Sequence, residues 1–309
     1  MHWHNTPNLS AIHLAENAQY QHFARAAQNM IRAIQLTLLS VICNSLLDSQ
    51  IIHPHNRAQV DMHVSVTHNL AGDFYFVYAI SNRQNSQEAC DDFTLLVVDS
   101  LITHNITKIT APTNKKWFVD GSELGFISGT AAGQFVNFPI APQDAIFPGE
   151  SISISFSSPG LPSIMTYYAE SYALPLTTDE NDSLHALGYT DKQIMPRWED
   201  DSYKNLTVAP NTDLLKLLPL ILLDTLINYT TQSRTLGWIT NQATTDKYSN
   251  YFTTAKTLIT FGHNDSARDT LQTVITNAIN DSTNNITSEA YALLRFNAEY
   301  LLHNIPALH

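Results

Sequence analysis

Residues 236–303 read LGWITNQATTDKYSNYFTTAKTLITFGHNDSARDTLQTVITNAINDSTNNITSEAYALLRFNAEYLLH and predict a compact helical module. Three segments in this stretch carry apolar residues at three- and four-residue spacing, which is the pattern of an amphipathic α-helix. The apolar stripe of the middle segment consists of Ala267, Leu271, Val274, Ile275, Ala278 and Ile279. Gly262 is placed to end the first helix, and Thr287 is placed to cap the last one. No catalytic group stands out here, so the stretch indicates architecture and not an activity.

In residues 58–175, by contrast, apolar residues recur with a period of two. Apolar and polar residues alternate from Val60 to Thr67, which predicts a half-buried strand, and further short runs of the same kind follow between turn residues. Several short strands at regular spacing favour an antiparallel β-sandwich of immunoglobulin-like (Ig-like) size. The predicted fold class is therefore α+β with segregated domains: an Ig-like antiparallel β-sandwich followed by a small α-helical bundle.

The sandwich segment also carries motifs of a known module. These motifs are YFVYAISN (75–82), an aspartate-led strand after it, the lone Trp117 and PGESISISFSSPGLP (148–162). Together they resemble a β-sandwich module that is common in secreted bacterial proteins. The resemblance implies that Trp117, Pro148 and Gly149 are structural residues, and it implies no defined activity.

Residues 176–211 follow neither period and are rich in acidic residues and prolines. We predict an acidic linker between the two domains. Two acidic clusters, 179–182 and 199–201, supply the oxygen ligands that calcium prefers, but the spacing of an EF-hand loop is missing. A bound calcium ion is therefore the alternative to a solvated linker.

The segment 212–305 is predicted to be the helical bundle. Its first part, DLLKLLPLILLDTLINY (213–229), is apolar enough for a buried helix but contains polar residues that argue against a membrane span. Pro219 either kinks this helix or marks its true start.

The segment 213–304 resembles a known helical family. LGWITN (236–241) and the three helical segments that follow it resemble the FIMAH-type domain found at the C-termini of secreted and surface proteins of bacteria. The resemblance implies that Gly237 and Trp238 are structural residues. The chain departs from the family pattern at 281–285, where the family has a longer basic turn that contains glycine.

The N-terminal residues predict export. MIRAIQLTLLSVICNSLLDSQ starts at Met30 and has one arginine, an apolar run and then small or polar residues, which is the pattern of a signal peptide. We therefore assign 30–49 as a signal peptide and 1–29 as a non-domain segment upstream of a translation start at Met30. Lipid attachment at Cys43 and an amphipathic helix are the alternatives. The predicted location is secreted, periplasmic or at the cell surface.

Charge and composition exclude some partners. The formal net charge is −12 and no basic cluster is visible, which argues against a nucleic-acid partner because phosphate contacts need grouped Lys and Arg. The apolar run after Met30 is too short for a comfortable membrane span, so none is expected in the mature chain. Only 14% of the residues are charged, and such a polar, weakly charged composition suits a protein outside the cytoplasm.

Histidines near the first strand are candidate metal ligands. His53 and His55 form a His-x-His pair, and Asp61 and His63 share the polar face of the strand that follows. Imidazole and carboxylate groups bind zinc or copper, so these residues form a candidate metal site even though their spacing matches no established one. Apart from this site and the calcium alternative in the linker, no cofactor is predicted.

The sequence contains no established catalytic motif, such as a nucleophile elbow, a zinc-protease helix or a P-loop. The leading prediction is a non-enzymatic interaction protein whose sandwich loops contact a protein or glycan partner. Tyr167, Tyr168 and Tyr172 are candidates for a carbohydrate or peptide platform. Alternation along their strand places Tyr168 and Tyr172 on one face and Tyr167 on the other, so at least some of these rings belong to the core. Two alternatives stay open. One is a secreted hydrolase at the sandwich–bundle junction, with His104 or His185 as its base, and the other is a metal-binding protein.

Overall fold

The computed structural model describes residues 58–68, 72–98, 107–110, 113–122, 126–131, 143–171, 178–190, 194 and 202–306. Contacts divide the chain into two compact units, one formed by 55–175 with 197–309 and the other by 1–54 with 176–196. In the second unit the described residues include helix α1 (Thr178–Ala186). The assignments made for 1–29, 30–49, Met30, Cys43, His53 and His55 lie outside the described residues.

The first unit contains two antiparallel sheets. The strands are β1 (Val60–His68), β2 (Phe74–Asn82), β3 (Cys90–Leu96), β4 (Thr107–Thr110), β5 (Trp117–Ser122), β6 (Phe126–Ala131), β7 (Ser151–Ser158), β8 (Leu161–Ser171) and β9 (Tyr203–Asn211). The four-stranded sheet has the order β1-β2-β7-β4, and the five-stranded sheet has the order β5-β6-β3-β8-β9. With the helices described below, the fold class is α+β.

The alternation seen in the sequence decides which side of each strand is buried. The buried residues of β1 are Val60, Met62, Val64 and Val66, as predicted from the period of two. Hydroxyl groups from this core reach from one sheet to the other. Tyr78 on β2 donates to the backbone oxygen of Val208 on β9 at 2.9 Å, and Tyr167 on β8 donates to that of Val60 at 2.6 Å.

The helical part follows β9 directly. A 3₁₀ turn (Thr212–Lys216) leads into helices α2 (Pro219–Thr235), α3 (Gln242–Thr260), α4 (Asn264–Asp281) and α5 (Ser288–Asn304). Pro219 begins α2, which confirms the second of the two readings of that residue, and Gly262 ends α3 with a φ of +77°. In the described ranges, no helix combines the length and the apolar composition that a membrane crossing requires.

The helices pack on the sheets and share a core with them. Consecutive helices from α2 to α5 contact each other, α2 also contacts α5, and α5 lies against β1, β8 and β9. One continuous cluster of buried apolar side chains runs through both sheets and these helices. The segments 58–175 and 212–305, which the sequence assigns to separate domains, therefore meet in one compact unit.

Strand β9 lies inside the segment predicted to be an acidic linker. It pairs with β8 along its whole length, from Leu161 opposite Asn211 to Ala169 opposite Tyr203. Its second half is buried without alternation, over 207–210, and the run ends in a proline. A strand with that pattern lacks the period of two, which explains why the sequence does not reveal it.

Candidate functional site

The side of the five-stranded sheet that points away from the core carries two rows of side chains. The strand registers align the residues of each row across the sheet. The first row consists of Phe118, Thr130, Asp92, Glu170 and Ser202. Two residues further along each strand lies the second row, which consists of Asp120, Ser128, Thr94, Tyr168 and Lys204. Every member of both rows is exposed or partly exposed, so the rows form a solvent-accessible surface, called here the outer face.

Phe118 is the most exposed large apolar side chain among the described residues. Its exposed fraction is 75%, although it lies on a strand whose neighbour Trp117 is buried. The alternation of the strand explains the difference, since adjacent residues point to opposite sides. An aromatic ring exposed beside polar side chains is an available stacking surface for a ligand.

Hydroxyl groups hold the carboxylates of the first row in place. Thr130 donates from Oγ1 to Oδ2 of Asp92 at 2.9 Å, and Ser202 donates from Oγ to Oε1 of Glu170 at 3.0 Å. Asp92 and Glu170 are register partners on adjacent strands, so two carboxylates stand directly opposite each other. Like charges in that position destabilise an antiparallel sheet.

A β-bulge adds a further carboxylate beside the first row. The pairing of β3 with β8 shifts register between Cys90 and Asp92, which leaves Asp91 as the extra residue of β3. Burial is the main cause that raises the pKa of Asp91 to about 7, and the charges of Asp92 and then Glu170 add to it. Burial likewise raises the pKa of Asp92 to about 6, again with a contribution from Glu170.

The charges that act on this bulge are of one sign in the part of the chain that the structure describes. Among the described residues, none of the groups that shift the pKa of Asp91 or Asp92 is a lysine or arginine. Carboxylates that are partly buried and grouped in this way are more common at functional sites than elsewhere. Cys90 contributes no reactivity, because burial raises the pKa of its thiol well above the usual range and only the thiolate is a nucleophile.

The second row ends in a cation over an aromatic ring. Nζ of Lys204 lies 5.6 Å from the centre of the Tyr168 ring. Tyr167 is buried in the core, so the prediction that Tyr167 and Tyr168 occupy opposite faces is confirmed. Tyr172 lies outside the described residues.

The structure gives two of the predicted metal ligands other contacts. Asp61 accepts two hydrogen bonds from Arg83, at 2.8 and 2.6 Å, and Nδ1 of His63 lies 3.0 Å from Oε1 of Glu289. His53 and His55, the other two residues of that prediction, belong to the part of the chain that is not described. Within the described ranges no three His, Cys, Asp or Glu side chains converge to hold a metal ion.

The residues predicted to be structural in the sandwich segment take part in packing and in a turn. Trp117 is buried, its Nε1 donates to the backbone oxygen of Asp144 at 2.8 Å, and its ring stacks on Phe93 at 5.6 Å. Pro148 and Gly149 form the turn that leads into β7, where Gly149 has a φ of +86°. A side chain at that φ is strained, which explains a glycine there.

The pair predicted to be structural in the helical segment joins two loops. Gly237 has a φ of +76°, and Trp238 is nearly buried after it. The backbone N–H of Trp238 donates to the oxygen of Ser233, and its own oxygen accepts from the N–H of Thr287, both at 2.8 Å. The loop before α3 is thereby fastened to the loop before α5.

The junction between sheets and helices is occupied by buried structural contacts. Glu289 of α5 is 1% exposed and accepts hydrogen bonds from the N–H of Val64 at 3.2 Å as well as contacting His63. Further along α5, Nδ2 of Asn297 donates to the backbone oxygen of Pro162 at 2.9 Å. Of the two histidines considered as a hydrolase base, His185 belongs to the other compact unit and His104 is not described.

Comparison with other proteins yields no relative. The chain matches no family model, and no curated protein or solved structure is significantly similar to it. Interpretation of the outer face therefore depends on its own geometry and charge.

Proposed function

We propose that the protein is an exported, non-enzymatic binding protein whose outer face binds a glycan. The exposed ring of Phe118, at one end of a row of hydroxyl and carboxylate groups, is the observation that carries the proposal. A pyranose ring has an apolar face that stacks on an aromatic ring and a rim of hydroxyl groups that both donate and accept. The side chains of the two rows match that rim.

The chemistry of a sheet face favours a sugar over a peptide. An extended peptide gains affinity mainly from backbone hydrogen bonds, and those are offered by the edge of a sheet. The outer face offers side-chain groups only, among them Thr130, Thr94 and Ser128. Hydroxyl-rich ligands are satisfied by such groups, whereas a peptide backbone would lose its water contacts without replacement.

The proposal extends to the fold and to the cellular location. We propose an Ig-like β-sandwich for the two sheets, supported by the hydroxyl-to-backbone bonds of Tyr78 and Tyr167 that link them. For the helices we propose a FIMAH-type origin, supported by the positions of Gly237 and Trp238. Export through the segment 30–49 would place the outer face where glycans are abundant.

A glycan array probed with the purified chain tests this function. We expect binding to a restricted set of glycans, and we expect Phe118→Ala to abolish it because the stacking surface is lost. Phe261→Ala is the matched control, since Phe261 is 72% exposed but lies at the end of α3, outside the outer face. Absence of binding to every glycan, or equal loss in the two variants, would overturn the proposal.

A second candidate is a glycoside hydrolase that uses the same face. It is favoured by the raised pKa values of Asp91 and Asp92, about 7 and about 6, because an acid and a base that titrate near neutrality suit general acid–base catalysis. Release of reducing ends from a bound glycan, lost in Asp91→Asn, would establish this activity. Binding without any release of reducing ends would leave the binding protein.

A further inference from the structure

We draw no further inference here: the strongest candidate, the apolar surface patch of Leu218 and Ile221 at the start of α2 and Phe261 at the end of α3, carries none because nothing in the structure shows what covers it.

Discussion

Two carboxylates that are withdrawn from water, Glu289 and Asp91, have pKa values that move in opposite directions. Burial raises the pKa of both, but the hydrogen bond from His63 and the N–H of Val64 bring that of Glu289 below its ordinary value. A backbone hydrogen bond also lowers the pKa of Asp91, but burial and the charge of Asp92 outweigh it and raise that pKa to about 7. The comparison shows that burial raises the pKa of a carboxylate unless hydrogen-bond donors around it outweigh the burial.

The helical part contains a second carboxylate of the structural kind. Asp281 accepts a hydrogen bond from the Tyr248 hydroxyl at 2.7 Å and also contacts Lys247 and Asn285, and these partners lower its pKa. In the helical part, hydrogen-bond donors therefore outweigh burial at both Glu289 and Asp281. At the bulge of β3 the balance is reversed, and the pKa values of Asp91 and Asp92 are raised.

The largest loss of stability is expected at Glu289, where hydrogen bonds outweigh the burial of the carboxylate. Glu289→Ala should lower the free energy of unfolding by about 3 kcal/mol, because the buried N–H of Val64 loses its acceptor and a cavity remains. Urea denaturation followed by circular dichroism measures the change. Asp269→Ala, an exposed acid on the neighbouring helix, should shift stability by no more than about 0.5 kcal/mol. Equal losses in the two variants would mean that Glu289 does not fasten α5 to β1.

A smaller gain in stability is expected when Asp91, at the bulge of β3, is replaced. The pKa of Asp91 is higher in the folded chain than its ordinary 3.8, so the folded state binds more protons and stability falls as the pH rises from about 4 to about 7. Asp91→Asn removes this cost and should stabilise the protein by about 1–2 kcal/mol at pH 8. Denaturation curves at pH 4 and pH 8 measure it. If the variant is less stable than the wild type at pH 8, the ionised carboxylate of Asp91 is stabilised by its surroundings, which contradicts the prediction.

The ion pair at the junction should have a weak pH dependence. The hydrogen bond to Glu289 raises the pKa of His63 above 6.5, so its contribution is complete below pH 6.5 and is lost as the pH rises through the raised value. The His63 side chain is 66% exposed, and solvent screening keeps the contribution below about 0.5 kcal/mol. Asp91 and Asp92 add a slope of the same sign, so the difference between wild type and His63→Gln isolates the histidine. A difference that is flat from pH 5 to pH 8 would contradict the assignment.

The smallest effect on stability is expected at the residue with the largest proposed role in binding. Phe118→Ser should change the free energy of unfolding by less than about 0.5 kcal/mol, since a side chain that is 75% exposed contributes little to the core. Thermal denaturation of the variant checks this. A marked loss of stability would mean that the ring packs against the protein and is not presented to a ligand.

The regular parts of the fold could be predicted from the sequence, because one side of a regular helix or strand is buried and its apolar residues recur with the period of that element. The period of two in β1 matches its buried side, and five of the six residues predicted for the apolar stripe of α4 are buried. The sixth, Ile279, is 47% exposed, so its assignment to the stripe was wrong. Strand β9 could not be predicted, because its buried run at 207–210 follows no period. Its pairing with β8 depends on residues some fifty positions away, which a local pattern cannot show.

The candidate site was less accessible to prediction than the fold. The sequence shows Asp91 and Asp92 as part of an ordinary strand, and it shows Phe118 as one more apolar residue. Only the registers reveal that Phe118, Asp92 and Glu170 share a row, since they lie on three strands far apart in the chain. A possible signal was the pair of adjacent acids inside an apolar strand, because such a pair requires a bulge or a functional reason.

The alternation of β3 after its bulge has a consequence for how this protein can evolve. Phe93 and Leu95 face the core, while Asp92 and Thr94, which alternate with them, belong to the outer face. Substitutions at the outward positions can therefore accumulate without repacking the interior. Substitutions at the inward positions are selected against because they disturb folding. A lineage that changes its partner need alter only every second residue of these strands. Diversity among descendants should consequently be concentrated on the two rows, while the scaffold beneath them persists.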